Sequence, residues 1–128
     1  MEKRIVKTSE APAAIGPYEQ GIRVGNFLFI SGQIAMEPAT GQLVQGDIAQ
    51  ETERTLKNLD AILKADGLTR GHVVKTTVYL ADLNDFARMN QVYEKFFTAP
   101  PPARACVQVA ALPKGAKIEM DAIAIGES

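Results

Sequence analysis

Arg104 follows Pro102-Ala103 into an alternating run, where a strand backbone would hold its guanidinium stiffly. The planar fork of an arginine suits two-point capture of a carboxylate, so Arg104 reads as an anion anchor. The competing reading is a structural ion pair with Glu119 or Asp121. Alternation sets Arg104, Cys106 and Gln108 on one face, and Ala105, Val107, Val109 and Ala111 on the other, where they are expected to be core. Glu119 and Asp121 share one side of a later run, opposite Ile118, Met120 and Ala122. Near a guanidinium such a carboxylate can orient water; elsewhere it is a solvated surface group. Cys106 is either a reactive thiol or a small strand hydrophobe. Tyr18, in Gly16-Pro17-Tyr18, is either a pocket wall or ordinary packing, and Ser31 places a hydroxyl where an apolar run ends.

Several chemistries lack their residues. One His and one Cys cannot assemble the common zinc sites, so no metal is expected, and no glycine-rich loop runs into a Lys-Ser or Lys-Thr phosphate cradle. There is no G-x-S-x-G elbow. His72, after a glycine and before a strand, reads as an exposed loop residue.

The elements that must position these groups follow from periodicity. A short run at Arg4 to Thr8 precedes a Pro/Gly loop through Pro12, Gly16 and Pro17. Ile22 and Val24, then Phe27 to Ile30, flank Gly25-Asn26 and predict a hairpin. Asp47 and Gln50 resemble a capping box. Ile48, Thr52, Leu56, Leu59 and Leu63 repeat at helical spacing, predicting a helix from about Ile48 to Asp66 with Gly67 as its stop. Val73 to Leu80 reads as a strand. Phe86, Met89, Tyr93 and Phe96 or Phe97 predict a second helix, ended by the prolines at 100–102. Arg104 to Leu112 and Lys117 to Ile125 close the order βββαβαββ, an α+β class in which both helices cover one sheet face. The other face is too apolar for water, so a homo-oligomer is expected to bury it.

At 128 residues the chain fits a single domain, 1–128, with 46% hydrophobic and 23% charged residues as in ordinary globular proteins. A formal net charge of −1 supplies no positive field for phosphate backbones, which argues against a nucleic-acid partner. Met1-Glu2-Lys3-Arg4-Ile5-Val6-Lys7 has no apolar leader core, and no apolar stretch approaches the roughly 20 residues that span a bilayer. A cytoplasmic protein without a membrane partner is the expectation, and one cysteine excludes an intrachain disulfide.

Pro102-Ala103-Arg104-Ala105-Cys106-Val107, Leu112-Pro113-Lys114 and Ile118-Glu119-Met120 together resemble the signature of the Rid/YjgF family of reactive intermediate deaminases. Ala13-Ala14-Ile15-Gly16-Pro17-Tyr18, Ile30-Ser31-Gly32-Gln33, Val74-Lys75-Thr76-Thr77-Val78 and Asp82-Leu83-Asn84-Asp85-Phe86 extend the resemblance along nearly the whole chain. It implies a chorismate-mutase-like fold, a mixed sheet, and a homotrimer with sites between subunits. It also implies hydrolysis of enamines and imines such as 2-aminoacrylate (2-iminopropanoate) and 2-iminobutanoate to 2-keto acids and ammonia. No cofactor is implied, and the role would be protection of pyridoxal-phosphate enzymes.

Carried over by position, the resemblance implies that Arg104 grips the substrate carboxylate. Tyr18 and Ser31 would line the pocket and move protons, and Asn90 and Cys106 would border it. Asp121 stands where the resemblance places a water-orienting glutamate and is one methylene shorter. Ala99-Pro100-Pro101-Pro102 is shorter than the usual linker, with Pro101 where an aromatic often stands. Rival functions are a non-catalytic carboxylate-binding trimer, an RNA-cleaving translation inhibitor and a holdase-like chaperone.

Overall fold

Gly25, at φ +57°, makes the reversal between β2 (Gly21–Val24) and β3 (Phe27–Gln33), the hairpin that Gly25-Asn26 predicts. The computed structural model describes residues 2–127. Ahead of the hairpin, β1 (Arg4–Val6) pairs antiparallel with β2 and ends at Val6 rather than Thr8. The Gln20 side chain accepts the Thr8 amide at 2.7 Å and draws the chain out of the ladder.

Helix α1 (Ile48–Ala65) begins at the predicted capping box. The Asp47 carboxylate accepts the Gln50 amide at 3.0 Å and the Gln50 side chain accepts the Asp47 amide at 2.9 Å. It ends one residue earlier than expected, because Asp66 is the cap. Gly67 takes φ +74° and the Leu68 amide reaches back to the Leu63 carbonyl at 2.9 Å. Ile48, Thr52, Leu56, Leu59 and Leu63 are all buried, as their spacing predicts. Strand β4 (Val73–Leu80) leads through a short 3-10 turn at Leu83–Asp85 into α2 (Phe86–Phe96), which buries Met89, Tyr93 and Phe96. Strand β5 (Ala103–Gln108) pairs parallel with β4, and β6 (Ile118–Ile125) completes the order βββαβαββ.

The six strands form one mixed sheet in the order β1-β2-β3-β6-β4-β5, with β4–β5 as its parallel pair. Leu56, Leu59, Ile62 and Leu63 of α1 join one core with Leu28 and Ile30 of β3, Val78 and Leu80 of β4, and Ile118 and Met120 of β6. Both helices therefore lie on one face, and the class is α+β as expected. Strand β5 stops at Gln108 rather than Leu112. It is an edge strand whose neighbour β4 ends at Leu80, and after the Val109 amide bonds the Leu80 carbonyl at 2.9 Å there is no further ladder to join.

One face assignment is corrected by the structure. Ala105, Val107, Val109 and Ala111, expected in the core, are not buried, and Val107 is 44% exposed. Cys106 packs against the core instead. Alternation fixes which side chains share a face, but not which face the helices cover. Here the aromatic rings of α2 accept a cation, so the face carrying Arg104 turns toward the helix layer. The opposite face is open and apolar: Ile5, Ile22, Phe29 and Ile123 stand in register across β1, β2, β3 and β6.

Two buried polar ties join the layers. Asp66 bonds Arg23 of β2 at 2.6 Å and Arg4 of β1 at 2.7 Å, and Arg23 and Asp66 are almost wholly buried. On α1, buried Glu51 accepts the Lys117 amide at 2.9 Å and fixes the entry to β6.

Candidate functional site

Tyr18 stands on a loop that a buried glutamine holds. The side-chain amide of Gln20 donates to the carbonyls of Thr8, Ala11 and Pro12 at 3.0, 3.2 and 2.7 Å, closing the loop from its base. The Tyr18 amide bonds the Gly16 carbonyl at 2.8 Å across Pro17, and its phenol oxygen faces the Ile15 amide at 3.4 Å. Next to this loop Ser31 donates its hydroxyl to the Glu19 carbonyl at 2.5 Å, which leaves the oxygen lone pairs for a ligand. The β3–β6 register shifts between Ile30 and Gln33, so Ser31-Gly32 bulges out of the ladder.

Tyr18, Ser31, Gly32, Gln33, Pro113 and Glu119 line a cavity of about 370 Å³. Glu119 projects from β6 beside Gly32, its carboxylate lying where a side chain on residue 32 would begin. Burial pushes the Glu119 carboxyl above its ordinary value, and the neighbouring Asp121 adds to that rise. Asp121 is not among the cavity-lining residues; its carboxylate accepts the Tyr79 hydroxyl at 3.0 Å. Burial raises the Tyr79 phenol, and its bond to Asp121 raises it further.

Arg104 lies elsewhere. Its guanidinium donates to Asn90 Oδ1 of α2 at 2.7 Å and stacks over the rings of Tyr93 and Phe86, 4.8 and 5.5 Å from their centroids. Among the described residues no carboxylate pairs with it, so the ion pair with Glu119 or Asp121 does not form within the chain. The reason is topological: Ile118, Met120 and Ala122 face the helices, which sends Glu119 and Asp121 to the opposite side, and β4 intervenes between β6 and β5. Cys106 sits beside Arg104 toward the helix layer; burial raises its thiol, and the guanidinium opposes this only in part. That environment suits the small-hydrophobe reading. His72 is half-buried, its Nδ1 accepting the Thr69 amide at 3.0 Å in a local cap.

The chain therefore carries two separate groups of polar side chains: Tyr18, Ser31 and Glu119 around the cavity, and Arg104, Asn90 and Cys106 against α2. Four residues shaping them were not singled out by sequence reasoning. Gln20 and Thr76 look like ordinary strand-flanking and strand residues, Gly32 like turn material, and Tyr93 like a core position of its helix. A polar residue opening or interrupting an apolar run was the available signal for the first two.

Fold and groups together define a two-layer α+β protein with one helix-covered and one open sheet face. The chain belongs to the family described as endoribonuclease L-PSP, whose model matches residues 8–126, the family of the Rid/YjgF proteins. It is 53% identical over 123 residues to the human 2-iminobutanoate/2-iminopropanoate deaminase, covering 96% of this chain and 90% of that one. The solved structure of the Escherichia coli YjgF gene product matches with a TM-score of 0.91 at 50% identity, over 95% of this chain and 98% of that one. The structure of Escherichia coli TdcF with bound serine matches with a TM-score of 0.93 at 46% identity, over 97% and 99%. Among the described residues no helix is long and apolar enough to cross a membrane.

Proposed function

We propose that this protein hydrolyses 2-imino and 2-enamino acids, 2-iminopropanoate (from 2-aminoacrylate) and 2-iminobutanoate among them, to 2-keto acids and ammonia, and thereby shields pyridoxal-phosphate enzymes. The observation that carries the reading is the Arg104 fork: NH1 donates to Asn90 and, among the described residues, no carboxylate pairs with the guanidinium. The name of the human relative supplies the reaction, and serine bound to TdcF is a ligand that carries a carboxylate.

Arg104 fixes the substrate carboxylate, with Asn90 and Cys106 at its border. Water adds to the adjacent imine carbon, its proton passing to a base and the imine nitrogen becoming an amine. The resulting carbinolamine expels ammonia once the nitrogen is protonated, and the hydroxyl collapses to the keto group. Imines of this kind hydrolyse unaided, so positioning plus one acid/base group suffices, with no cofactor. We assign the water-handling role to Glu119 rather than Asp121, because Glu119 shares the cavity with Tyr18 and Ser31 while Asp121 is engaged by Tyr79. Tyr18 and the free lone pairs of Ser31 complete the proton path.

Because Arg104 and Glu119 face opposite sides of one sheet, a complete site takes Arg104 from one copy and the cavity from another. A homotrimer closing over the apolar row at Ile5, Ile22, Phe29 and Ile123 satisfies that need.

The test generates 2-aminoacrylate and 2-iminobutanoate in situ with a dehydratase and traps them with semicarbazide. Wild-type protein is expected to lower the trapped product and Arg104→Ala to restore it. No diversion by folded, oligomeric wild type would overturn catalysis on these substrates and leave a carboxylate-binding trimer.

A further inference from the structure

Arg104 is held from below by a device that the hydrolytic reading does not use. Tyr93 of α2 is buried, with its ring under the guanidinium, 4.8 Å from the carbon of the fork. Its hydroxyl is tied at 2.7 Å to Thr76 Oγ1, itself wholly buried in β4. Thr76 is also the residue directly opposite Arg104 in the parallel β4–β5 pair. The strand that carries the arginine is thus registered against the residue that locks the ring beneath its head group. Phe97 also packs against that ring, 4.8 Å between centroids and tilted by 52°.

We propose that Tyr93, through its ring, is a positioning residue for Arg104. Its ring holds the guanidinium in one plane while Asn90 takes an N–H of NH1, so that the remaining edge of the fork is presented to a carboxylate. A flexible arginine would lose side-chain entropy on gripping its ligand; one already laid on an aromatic face and pinned at one nitrogen loses less. The hydroxyl of Tyr93 serves the lock and the ring serves the cation, so the two parts of the side chain are separable by substitution.

The inference rests on the reading of Arg104 as a carboxylate anchor, and the experiment separates the two. Calorimetry with 2-ketobutanoate, a stable 2-keto acid, measures the anchor without turnover. Tyr93→Phe keeps the ring and is expected to bind within about twofold of wild type, whereas Tyr93→Leu is expected to bind about tenfold more weakly, the loss of one desolvated cation–π contact. In the trapping assay the same Leu variant raises KM with kcat nearly unchanged, a split that general loosening of the core would not produce. Ligand-free NMR of the Arg104 side chain supplies a second measurement. Its Nε and δ protons should be shifted upfield by the ring in wild type and in Tyr93→Phe, and released in Tyr93→Leu. Should Tyr93→Leu prove unfolded, Tyr93→Met fills the space without a ring and takes its place. Equal binding by the Phe and Leu variants, or no upfield shift in wild type, would overturn the role of Tyr93. Failure of wild type to bind 2-ketobutanoate while the upfield shift is present would overturn the anchor reading instead.

Discussion

The carboxylate of Glu119 rests on the bare backbone of Gly32, so close that a β-carbon there would lie 2.4 Å from Oε2. Gly32→Ala must therefore push Glu119 out of its place. Because a misplacement near 1 Å in a catalytic group costs on the order of a hundredfold, the kcat/KM of Gly32→Ala should fall by about that factor. Circular dichroism and melting should show a fold otherwise kept. An alanine variant with normal kcat/KM would detach Glu119 from the chemistry.

Replacing each carboxylate by its amide separates the two acidic residues of β6. Glu119→Gln is expected to lower kcat/KM by about 10²–10⁴, the usual worth of an acid/base group, and Asp121→Asn by less than tenfold. The Glu119 carboxyl is raised above its ordinary value by burial first and Asp121 second. As a base it must be ionised, so activity should fall as pH drops through a midpoint above the ordinary carboxylate value, and Glu119→Gln should lose that acid limb.

Glu51 offers a stability test of its own. Burial raises its carboxyl, against the Lys117 amide bond, which lowers it. The folded-state value therefore lies above the unfolded one, and the contribution of Glu51 to folding is greatest below the unfolded value and is lost as pH rises through the folded one. Glu51→Gln retains an oxygen for the Lys117 amide without the charge. Its urea midpoint relative to wild type should thus improve between pH 4 and pH 7, and an unchanged difference would contradict the burial argument.

Asp66 closes a nearly solvent-free ion pair with Arg23. Asp66→Ala leaves that guanidinium buried without its counter-ion and should destabilise the fold by about 3–5 kcal/mol, read from chemical unfolding. Arg4→Ala removes the exposed partner of the same carboxylate and should cost under about 1 kcal/mol.

The separation of Arg104 from Glu119 predicts that assembly and activity fail together. Phe29→Glu puts a charge into the apolar row of the open face. Sedimentation is expected to show a monomer, with trapping activity lost although Arg104, Tyr18 and Glu119 are all present. A fully active monomer would show that a site forms within one chain.

Much of this architecture is written in local pattern. The α1 face, its capping box and Gly67 stop, the Gly25 reversal and the bounds of β4 all follow from spacing and turn chemistry, because each is decided within a few residues. What periodicity leaves open is which side of a strand the helices cover. The run from Arg104 is the case in point: two valines and two alanines have the pattern of core, yet the rings of Tyr93 and Phe86 turn the charged face inward. The candidate site divides in the same way. Tyr18, Ser31, Arg104 and Cys106 stand out by residue type and position and Asn90 only by the family resemblance, whereas preference for Glu119 over Asp121 needs the cavity beside the bulge at Ser31-Gly32, which no alternation rule foretells.

Strand β6 has a consequence for biosynthesis. The sheet consists of a β1-β2-β3 block and a β4-β5 block, and β6, the latest-made of the six strands, is the bridge between them. A ribosome that has delivered every other element has still produced two unjoined ladders, with the inner edges of β3 and β4 unsatisfied. Vectorial synthesis thus cannot close this sheet stepwise. The nascent polypeptide must keep those edges apart from other chains until residues 118–125 emerge, and then zip both at once.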